Sequence, residues 1–270
     1  MPQFVYCLNA STIKTTPILE QIRVAASAGY QAIELWHDDI DAHVANGGRV
    51  ADVCHALQDH GLQVPTTIFL KGWWDTVGPV YDSALDETRR RLSQSQALGA
   101  SFAIAGPPLG PVDFEVGAKN YARLLEVGRE FGVKPVMEYL GFAEQVNSIE
   151  AALHVMSACG DDDATTVLDP FHCFRGGGPI ASVSLLTSDQ VAIAHFNDSP
   201  EFPPSTLQQD CDRVMPGDGS VDLAQFCRCL SGIGYDRWLS LELFNRDLWA
   251  RNPLDVAVEG LEKMRNVAES

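Results

Sequence analysis

Basic residues are scarce in this chain of 270 residues, which carries 19 Lys and Arg against 36 Asp and Glu, for a formal charge of −17. A phosphate backbone or an anionic membrane surface attracts proteins through clustered Lys and Arg, so this balance argues against both partners. The chain also lacks an apolar run of roughly 18 residues, the length that a membrane span needs. Its first residues, MPQFVYCLNAST, show no basic start followed by an apolar core, as a signal peptide would. We therefore expect a cytoplasmic protein with no nucleic-acid or membrane partner.

Paired cysteines and phosphate-binding glycine motifs are missing as well. The seven Cys are odd in number and scattered, and no Cys-x-x-Cys pair occurs, so we interpret all of them as reduced thiols. No G-x-G-x-x-G motif follows the first predicted strand, which leaves a dinucleotide site without support. The run Gly176-Gly177-Gly178 has no P-loop lysine, and we interpret it as a flexible loop.

Short β-rich runs alternate with longer helical patterns along the whole chain. We predict strands at residues 4–8, 32–36, 62–70, 101–106, 133–140, 164–170, 190–198 and 238–244. We predict helices at residues 17–29, 49–61, 83–99, 120–132, 148–160, 221–234 and 253–267, with a short one near 181–187 and Ser148 as an N-cap. The alternation indicates a parallel sheet. Eight repeats with no linker predict an α/β fold, a single (β/α)8 TIM-barrel domain over residues 1–270, and a doubly wound open sheet is the alternative.

Metal-capable side chains stand at the ends of the last four predicted strands. They are Glu138, Asp169, His195 and Glu242, each within an apolar run. The carboxyl ends of barrel strands form one rim, so the four groups are expected to meet there. Three carboxylates buried together need a cation, and this donor set suits Mn²⁺, Mg²⁺ or Co²⁺. Each residue alone could instead cap a helix, open a turn or form an ion pair.

Other polar and aromatic residues near the same rim are candidates for substrate contact. His172 follows Asp169 by three residues, and Arg213 lies in a long loop where a guanidinium could hold an oxygen bidentately. The remaining candidates follow strands two and three: Glu34, Trp36, His37 and Lys71. Plain packing or surface exposure is the alternative for each of them. The adjacent Trp73 and Trp74 could wall the pocket, or they could pack in the core or mark a subunit interface.

The chain resembles the sugar phosphate isomerase/epimerase family, the xylose isomerase-like barrels. The segments that carry the likeness are Glu138 and residues 168–172, 195–198, 212–219 and 240–244, within a resemblance that begins at Asn9. They look closest to inosose isomerases, ketose 3-epimerases and 3-dehydroshikimate dehydratase-type lyases. The resemblance implies one divalent metal ion, with Mn²⁺ foremost and Mg²⁺, Co²⁺ or Zn²⁺ as alternatives, held by Glu138, Asp169, His195 and Glu242. It further implies that Glu138 and Glu242 face each other across the substrate and that His172 and Arg213 contact it.

Endonuclease IV-type repair enzymes belong to the same superfamily and hold three zinc ions. Their additional histidines are missing here. Strand three ends at Lys71 and strand four ends near Pro108, and neither end carries a histidine. Val214 follows Asp212-Arg213, where that group has a histidine. Together with the negative charge, this departure argues against a nuclease.

Three functions remain open. The first is an isomerase or epimerase of a keto-sugar or keto-inositol, working through a metal-stabilised enediolate with Glu138 and Glu242 as acid and base in undetermined order. The second is a metal-dependent dehydratase of a cyclic keto acid or keto sugar, in which the same intermediate expels a β-hydroxyl. The third is a non-catalytic sugar-binding barrel. For the two enzymes we expect a small polyhydroxy ketone as substrate and a homodimer or homotetramer.

Overall fold

The computed structural model describes residues 4–74 and 77–270, within which eight parallel strands close into one barrel. The strands are β1 (Val5–Asn9), β2 (Ala32–Trp36), β3 (Thr66–Leu70), β4 (Phe102–Ala105), β5 (Lys134–Met137), β6 (Thr166–Leu168), β7 (Val191–His195) and β8 (Trp238–Leu241). Each strand pairs with the next in sequence, and β8 returns to pair with β1. The predicted TIM barrel is therefore confirmed and the open sheet is wrong, although most predicted strands extend beyond the observed ones.

Helices follow the strands on the outside of the barrel. They are α1 (Ile18–Ala28), α2 (His37–Ala45), α3 (Val50–His60), α4 (Pro79–Ala97), α5 (Phe114–Phe131), α6 (Ile149–Cys159), α7 (Pro170–Gly176), α8 (Leu223–Gly232), α9 (Arg246–Trp249) and α10 (Pro253–Ala268). The predicted N-cap is confirmed, since Ser148 accepts a hydrogen bond from the Ala151 N–H. The short helix predicted near residues 181–187 is a 3-10 turn at Ile180–Leu185.

Helices α2, α7 and α9 were not predicted from the sequence. In α2 only His37 and Ile40 are buried, so the helix has no apolar stripe to detect. The glycine run was interpreted as a loop, but Gly176 belongs to α7 and Gly177 ends that helix with a left-handed φ of 75°. A residue without a Cβ adopts this conformation readily, which explains the glycine at the helix end.

The barrel interior carries an apolar layer beneath a polar rim. Ile68, Ile104, Val136, Val167, Ala192 and Ile193 form one buried cluster inside the strands. Successive side chains on a strand point to opposite faces, so residues two positions further on point inward again. Glu138 follows Val136, Asp169 follows Val167 and His195 follows Ile193 at this spacing. The strand pattern therefore delivers these three side chains to the same side of the apolar layer.

Trp73 and Trp74 lie in the core between the barrel and its helices, which confirms the core packing that the sequence offered as one alternative and excludes the subunit interface. Both are at most 1% exposed. The Trp73 ring lies 5.7 Å from that of Tyr121, and the Trp74 ring lies 6.2 Å from that of Phe114. The Trp74 indole N–H donates to the Asp113 carbonyl at 3.3 Å. Two large aromatic side chains are buried here because α5 supplies matching rings and a polar acceptor.

Within the described ranges, no helix combines the length and the apolar character that a membrane crossing requires.

Candidate metal centre

The four side chains predicted as metal ligands lie together at the carboxyl end of the barrel. Each of Glu138, Asp169, His195 and Glu242 offers one ligand atom, and these atoms all lie within 4.8 Å of one another. All four residues are buried, with exposures of 6%, 0%, 0% and 4%. Strands β5 to β8 are neighbours in the barrel, so their ends converge on a single point.

The His195 ring stands at the centre of this cluster. Its Nδ1 lies 3.0 Å from Glu242 Oε2, 3.4 Å from Asp169 Oδ2 and 3.7 Å from Glu138 Oε1. Although these distances are short, neither ring nitrogen makes a hydrogen bond of normal geometry within the described residues. Burial opposes protonation of the ring, but the charges of Glu242 and Glu34 raise the pKa of His195 well above its usual value. The surrounding carboxylates therefore favour a positive charge, either a proton or a cation, beside His195 Nδ1.

The carboxylates of the cluster have different surroundings. Burial, followed by repulsion from Glu242, raises the pKa of Glu138 well above its ordinary range. Burial alone would also raise the pKa of Asp169, but the positive charge of Arg213 helps to hold it well below its usual value. Asn197 supports Asp169 further, since its amide donates to both carboxylate oxygens at 3.2 and 3.1 Å. Asp169 is thus held ionised, whereas the positive charges of His195 and Arg213 only partly offset the burial of Glu138.

Arg213 reaches the cluster from the long loop after β7. Its Nη1 donates to Asp169 Oδ2 and Glu242 Oε2, both at 2.8 Å, and the residue is 1% exposed. Its Nη2 donates to Asp210 at 2.6 Å, and its guanidinium lies 4.5 Å from the Phe171 ring centre. These contacts bring a sequence-predicted candidate to the site and fix its direction by charge-assisted hydrogen bonds and a cation–π contact.

His172 lies beside Arg213, and its hydrogen bonds define which nitrogen carries the proton. The Gly141 backbone N–H donates to His172 Nδ1 at 3.1 Å, which places the proton of a neutral imidazole on Nε2. Burial lowers the pKa of His172, which favours this neutral form. Its Nε2 lies 3.1 Å from Arg213 Nη2, so two donors converge. Such a pair can share one acceptor, for example a carbonyl, hydroxyl or carboxylate oxygen of a ligand.

Asn9 is a site residue that sequence reasoning missed. Its Nδ2 donates to Glu34 Oε1 at 3.2 Å and to Glu242 Oε1 at 3.0 Å. Its Oδ1 accepts hydrogen bonds from the Ser11 N–H and from the Trp36 indole N–H, which fixes the direction of the amide. The only available signal was the position of Asn9 at the end of the first predicted strand, because an amide is not itself a strong metal ligand.

The remaining candidates for substrate contact lie in different environments. Trp36 joins the site indirectly through Asn9 and packs edge-on against Phe244 at 5.8 Å. His37 is buried beside α4, where its Nδ1 lies 2.9 Å from Gln94 Oε1. Lys71 has a side chain that is 63% exposed and lies 3.9 Å from Asp38. Within the described part of the chain, neither His37 nor Lys71 makes a hydrogen bond or an ion pair with the four clustered residues.

The donor set fits a divalent metal ion. Glu34 is also fully buried and lies 3.3 Å from His195, so four carboxylates are buried in this part of the barrel, of which Asp169 and Glu242 pair with Arg213. An uncompensated group of buried carboxylates is costly, and a divalent cation would balance it. The unsatisfied His195 Nδ1 points at the three carboxylates of the cluster, as a ligand nitrogen would. Glu138, Asp169, His195 and Glu242 would hold the ion, with the mixed oxygen and nitrogen ligation that Mn²⁺, Co²⁺ and Zn²⁺ accept.

Comparison with known proteins identifies related sequences. The family model described as xylose isomerase-like TIM barrel matches residues 22–267. An inosose isomerase of Bacillus velezensis is 24% identical over 251 residues, which cover 90% of this chain and 89% of that protein. A 3-dehydroshikimate dehydratase of Pseudomonas aeruginosa is 25% identical over 259 residues, which cover 93% of this chain but 40% of that protein.

Solved structures with the same fold are also found. The crystal structure of an IOLI protein with a binding zinc atom superposes with a TM-score of 0.90 at 22% identity, covering 100% of this chain and 98% of that one. An L-ribulose 3-epimerase superposes with a TM-score of 0.78 at 15% identity, covering 100% of this chain and 95% of that one. Identities this low establish the shared barrel and leave the chemistry to the site itself.

Proposed function

Since the chain belongs to the xylose isomerase-like TIM barrel family, we propose that it is a divalent-metal-dependent isomerase or epimerase of a keto-sugar or keto-inositol. The observation that carries this proposal is the buried cluster of Glu138, Asp169, His195 and Glu242, with ligand atoms within 4.8 Å of one another. The inosose isomerase and the ketose epimerase named among the similar proteins support the same class of substrate, a small polyhydroxy ketone. We propose Mn²⁺ as the ion, with Mg²⁺, Co²⁺ or Zn²⁺ as alternatives; the zinc in the similar IOLI structure supports a divalent ion in general.

Glu138 and Glu242 are the proposed acid and base. A divalent ion bound at this centre would polarise the substrate carbonyl and stabilise negative charge on its oxygen. One carboxylate removes the proton from the carbon next to the carbonyl, and the C–H electron pair becomes the C=C bond of an enediolate. For epimerisation, a proton is then returned to the opposite face of that carbon and the carbonyl re-forms. For isomerisation, a proton is returned to the former carbonyl carbon, and the proton of the neighbouring hydroxyl passes to the former carbonyl oxygen, so that the neighbouring carbon carries the new carbonyl.

His172 and Arg213 are the proposed substrate-binding pair. The Nε2–H of His172 and the Nη2 of Arg213 lie 3.1 Å apart and both donate. A substrate oxygen accepting from both would relieve this donor–donor contact and orient the ketone over Glu138 and Glu242. Among the other sequence candidates, Trp36 is closest to this role through its hydrogen bond to Asn9.

A dehydratase is the second candidate function. The match to a 3-dehydroshikimate dehydratase over 93% of this chain favours it specifically. In that reaction a carboxylate removes the proton next to the carbonyl, the C–O bond at the β-carbon breaks, and the hydroxyl leaves as water after taking back that proton from the carboxyl group, while His172 Nε2–H donates a hydrogen bond to the leaving oxygen. The new C=C bond is conjugated with the carbonyl. The first step is shared with isomerisation, and only the later fate of the substrate differs.

One experiment separates the two functions. The protein is incubated in D₂O with Mn²⁺ and, in turn, a keto-inositol, a ketohexose and dehydroshikimate, with chelator-treated protein as the control. Deuterium incorporation at carbon without new ultraviolet absorbance supports the isomerase or epimerase, and a conjugated enone supports the dehydratase. Absence of exchange with every ketone would contradict both functions.

The homodimer or homotetramer and the cytoplasmic location stay predictions from the sequence, and light scattering checks the oligomeric state.

A further inference from the structure

Glu34 is a buried carboxylate whose two oxygens both accept hydrogen bonds from protein groups. It is 0% exposed and stands in β2, beside the end of β1. Its Oε2 accepts a hydrogen bond from the Thr66 hydroxyl, and its Oε1 accepts from the Ser240 hydroxyl and from Asn9 Nδ2. A carboxylate with these partners has little capacity left for a substrate, in contrast to the substrate contact suggested by the sequence.

The fourth neighbour of Glu34 is His195, one of the four proposed metal ligands. Glu34 Oε1 lies 3.3 Å from His195 Nε2, and this is the shortest ion-pair distance between the two residues. The other three carboxylates face Nδ1, on the opposite edge of the ring. An imidazole that binds a cation through Nδ1 keeps its proton on Nε2, and this proton needs an acceptor in a buried site. Glu34 Oε1 is close enough to be that acceptor at 3.3 Å, once the ring turns to bring the N–H into line with it.

Glu34 is also connected to a second proposed ligand. Asn9 Nδ2 donates to Glu34 and, at 3.0 Å, to Glu242 Oε1. The Asn9 amide cannot turn over without losing the hydrogen bonds that its Oδ1 accepts from Ser11 and Trp36. Glu242 Oε2 is thereby left on the side that faces His195 Nδ1.

We propose that Glu34 is a positioning residue that holds His195 with its proton on Nε2 and its Nδ1 toward the three carboxylates, and that steadies Glu242 through Asn9. Resting on the metal centre of the proposed function, this assignment gives Glu34 a role in metal affinity rather than in substrate contact. Carboxylates behind ligating histidines orient the ring and make it a better ligand, and their loss lowers affinity by roughly 10- to 100-fold.

The first test measures Mn²⁺ and Zn²⁺ affinity of Glu34→Gln by calorimetry, with Glu144→Gln as the matched control. Glutamine keeps the size of Glu34 but removes its charge, so we expect metal affinity to fall by about 10- to 100-fold. Glu144→Gln makes the same change at an exposed position after β5, so metal affinity should stay close to that of the unmodified protein. Equal affinities in Glu34→Gln and the unmodified protein would overturn the proposal. A failure of the unmodified protein to bind any divalent ion would instead contradict the proposed function.

A second measurement needs no variant, in case Glu34→Gln does not fold. In zinc-loaded protein labelled with ¹⁵N, we expect the His195 ring to show a proton on Nε2 that is protected from exchange with water. A proton on Nδ1, or an Nε2 proton that exchanges freely, would overturn the assignment of Glu34. Where Glu34→Gln folds, its His195 Nε2 proton should exchange faster, and this change would not follow from a purely structural role.

Discussion

Glu138 and Glu242 are chemically the same group, but the surrounding residues hold them differently. Glu242 accepts hydrogen bonds on both oxygens, from Asn9 on Oε1 and from Arg213 on Oε2. Within the described residues, the Glu138 carboxylate has no hydrogen bond, and its nearest charged partner is His195 at 3.7 Å. A fixed carboxylate and a less constrained one are suited to different halves of a proton transfer, although their order stays open.

The first prediction concerns Glu242. The substitution Glu242→Gln keeps the size of the side chain and removes its basicity, so we expect turnover of the keto substrate to fall by about 10²- to 10⁴-fold or more. The fold should be retained, as circular dichroism and thermal melting would show. Glu144→Gln, an exposed glutamate after β5, is the control and should leave kcat unchanged. A near-normal kcat for Glu242→Gln would remove it from the proposed mechanism.

The second prediction concerns Asp169, which is both a proposed ligand and the N-cap of α7. Its side chain accepts a hydrogen bond from the His172 N–H at 3.1 Å, and asparagine can still make this bond. Asp169→Asn therefore removes charge from the metal centre while keeping the cap, and we expect metal affinity to fall by roughly 10-fold or more. Elemental analysis after dialysis against Mn²⁺ measures the bound metal. Unchanged metal content would count against this site.

At the residue scale, the sequence predicts which side chains stand at the strand ends. It does not predict which residues of neighbouring strands they contact once the barrel is closed. The sequence places four metal-capable residues near one another, because each follows an apolar run at the same rim. They are Glu138, Asp169, His195 and Glu242. Asn9 could not be assigned a role, because its contacts depend on β1 lying between β2 and β8 after closure. The hydrogen-bonding role of Glu34 was hidden for the same reason.

At the element scale, the loop between β7 and α8 determines where Arg213 stands. Asp198, 1% exposed, accepts hydrogen bonds from four backbone N–H groups of this loop, namely those of Ser199, Gly217, Gly219 and Val221. The loop and the strand end are also paired directly, through Asp198 and Val214. Since Val214 is adjacent to Arg213, the Asp198 carboxylate fixes the segment that carries the guanidinium.

The third prediction tests this arrangement. Asp198→Asn would turn an NH₂ group toward backbone donors, leaving them unsatisfied, so we expect a loss of about 1–3 kcal/mol in the free energy of unfolding. The KM for the keto substrate should rise because Arg213 is less well positioned, whereas the metal ligands are unchanged. Urea denaturation and steady-state kinetics measure the two effects. An unchanged KM together with a lower stability would restrict Asp198 to a structural role.

The helices show which elements the periodicity of the sequence can predict and which it cannot. The longer predicted helices are all present, because their buried faces repeat with the helical period. Helix α7 is seven residues long and begins with Asp169 and Pro170, which is a typical start signal but one too short to display periodicity. Its presence matters for function, since it turns His172 back toward Arg213 instead of leaving it in a surface loop.

At the scale of the whole molecule, the acidic residues lie in two different environments, the protein surface and the buried end of the barrel. Most of the 36 acidic residues are exposed or paired with surface Arg and Lys. Glu34, Glu138, Asp169 and Glu242 are instead buried in one end of the barrel with Arg213. Repulsion among these carboxylates opposes folding, so the stability of the whole chain should depend on a cation bound there.

The fourth prediction follows from this dependence. A ligand that binds only the folded chain stabilises it by about 2.7 kcal/mol at a free concentration of 100 times its Kd. For chains of roughly this size, about 2–4 °C in Tm accompanies each kcal/mol, so we expect saturating Mn²⁺ to raise Tm by about 5–10 °C. Asp169→Asn at the same metal concentration should show a smaller rise, and a chelator should reverse the effect in the unmodified protein. If Mn²⁺, Mg²⁺, Co²⁺ and Zn²⁺ each left Tm unchanged, the buried carboxylates would have to be balanced by Arg213 and a protonated His195 alone, and the metal centre would be wrong.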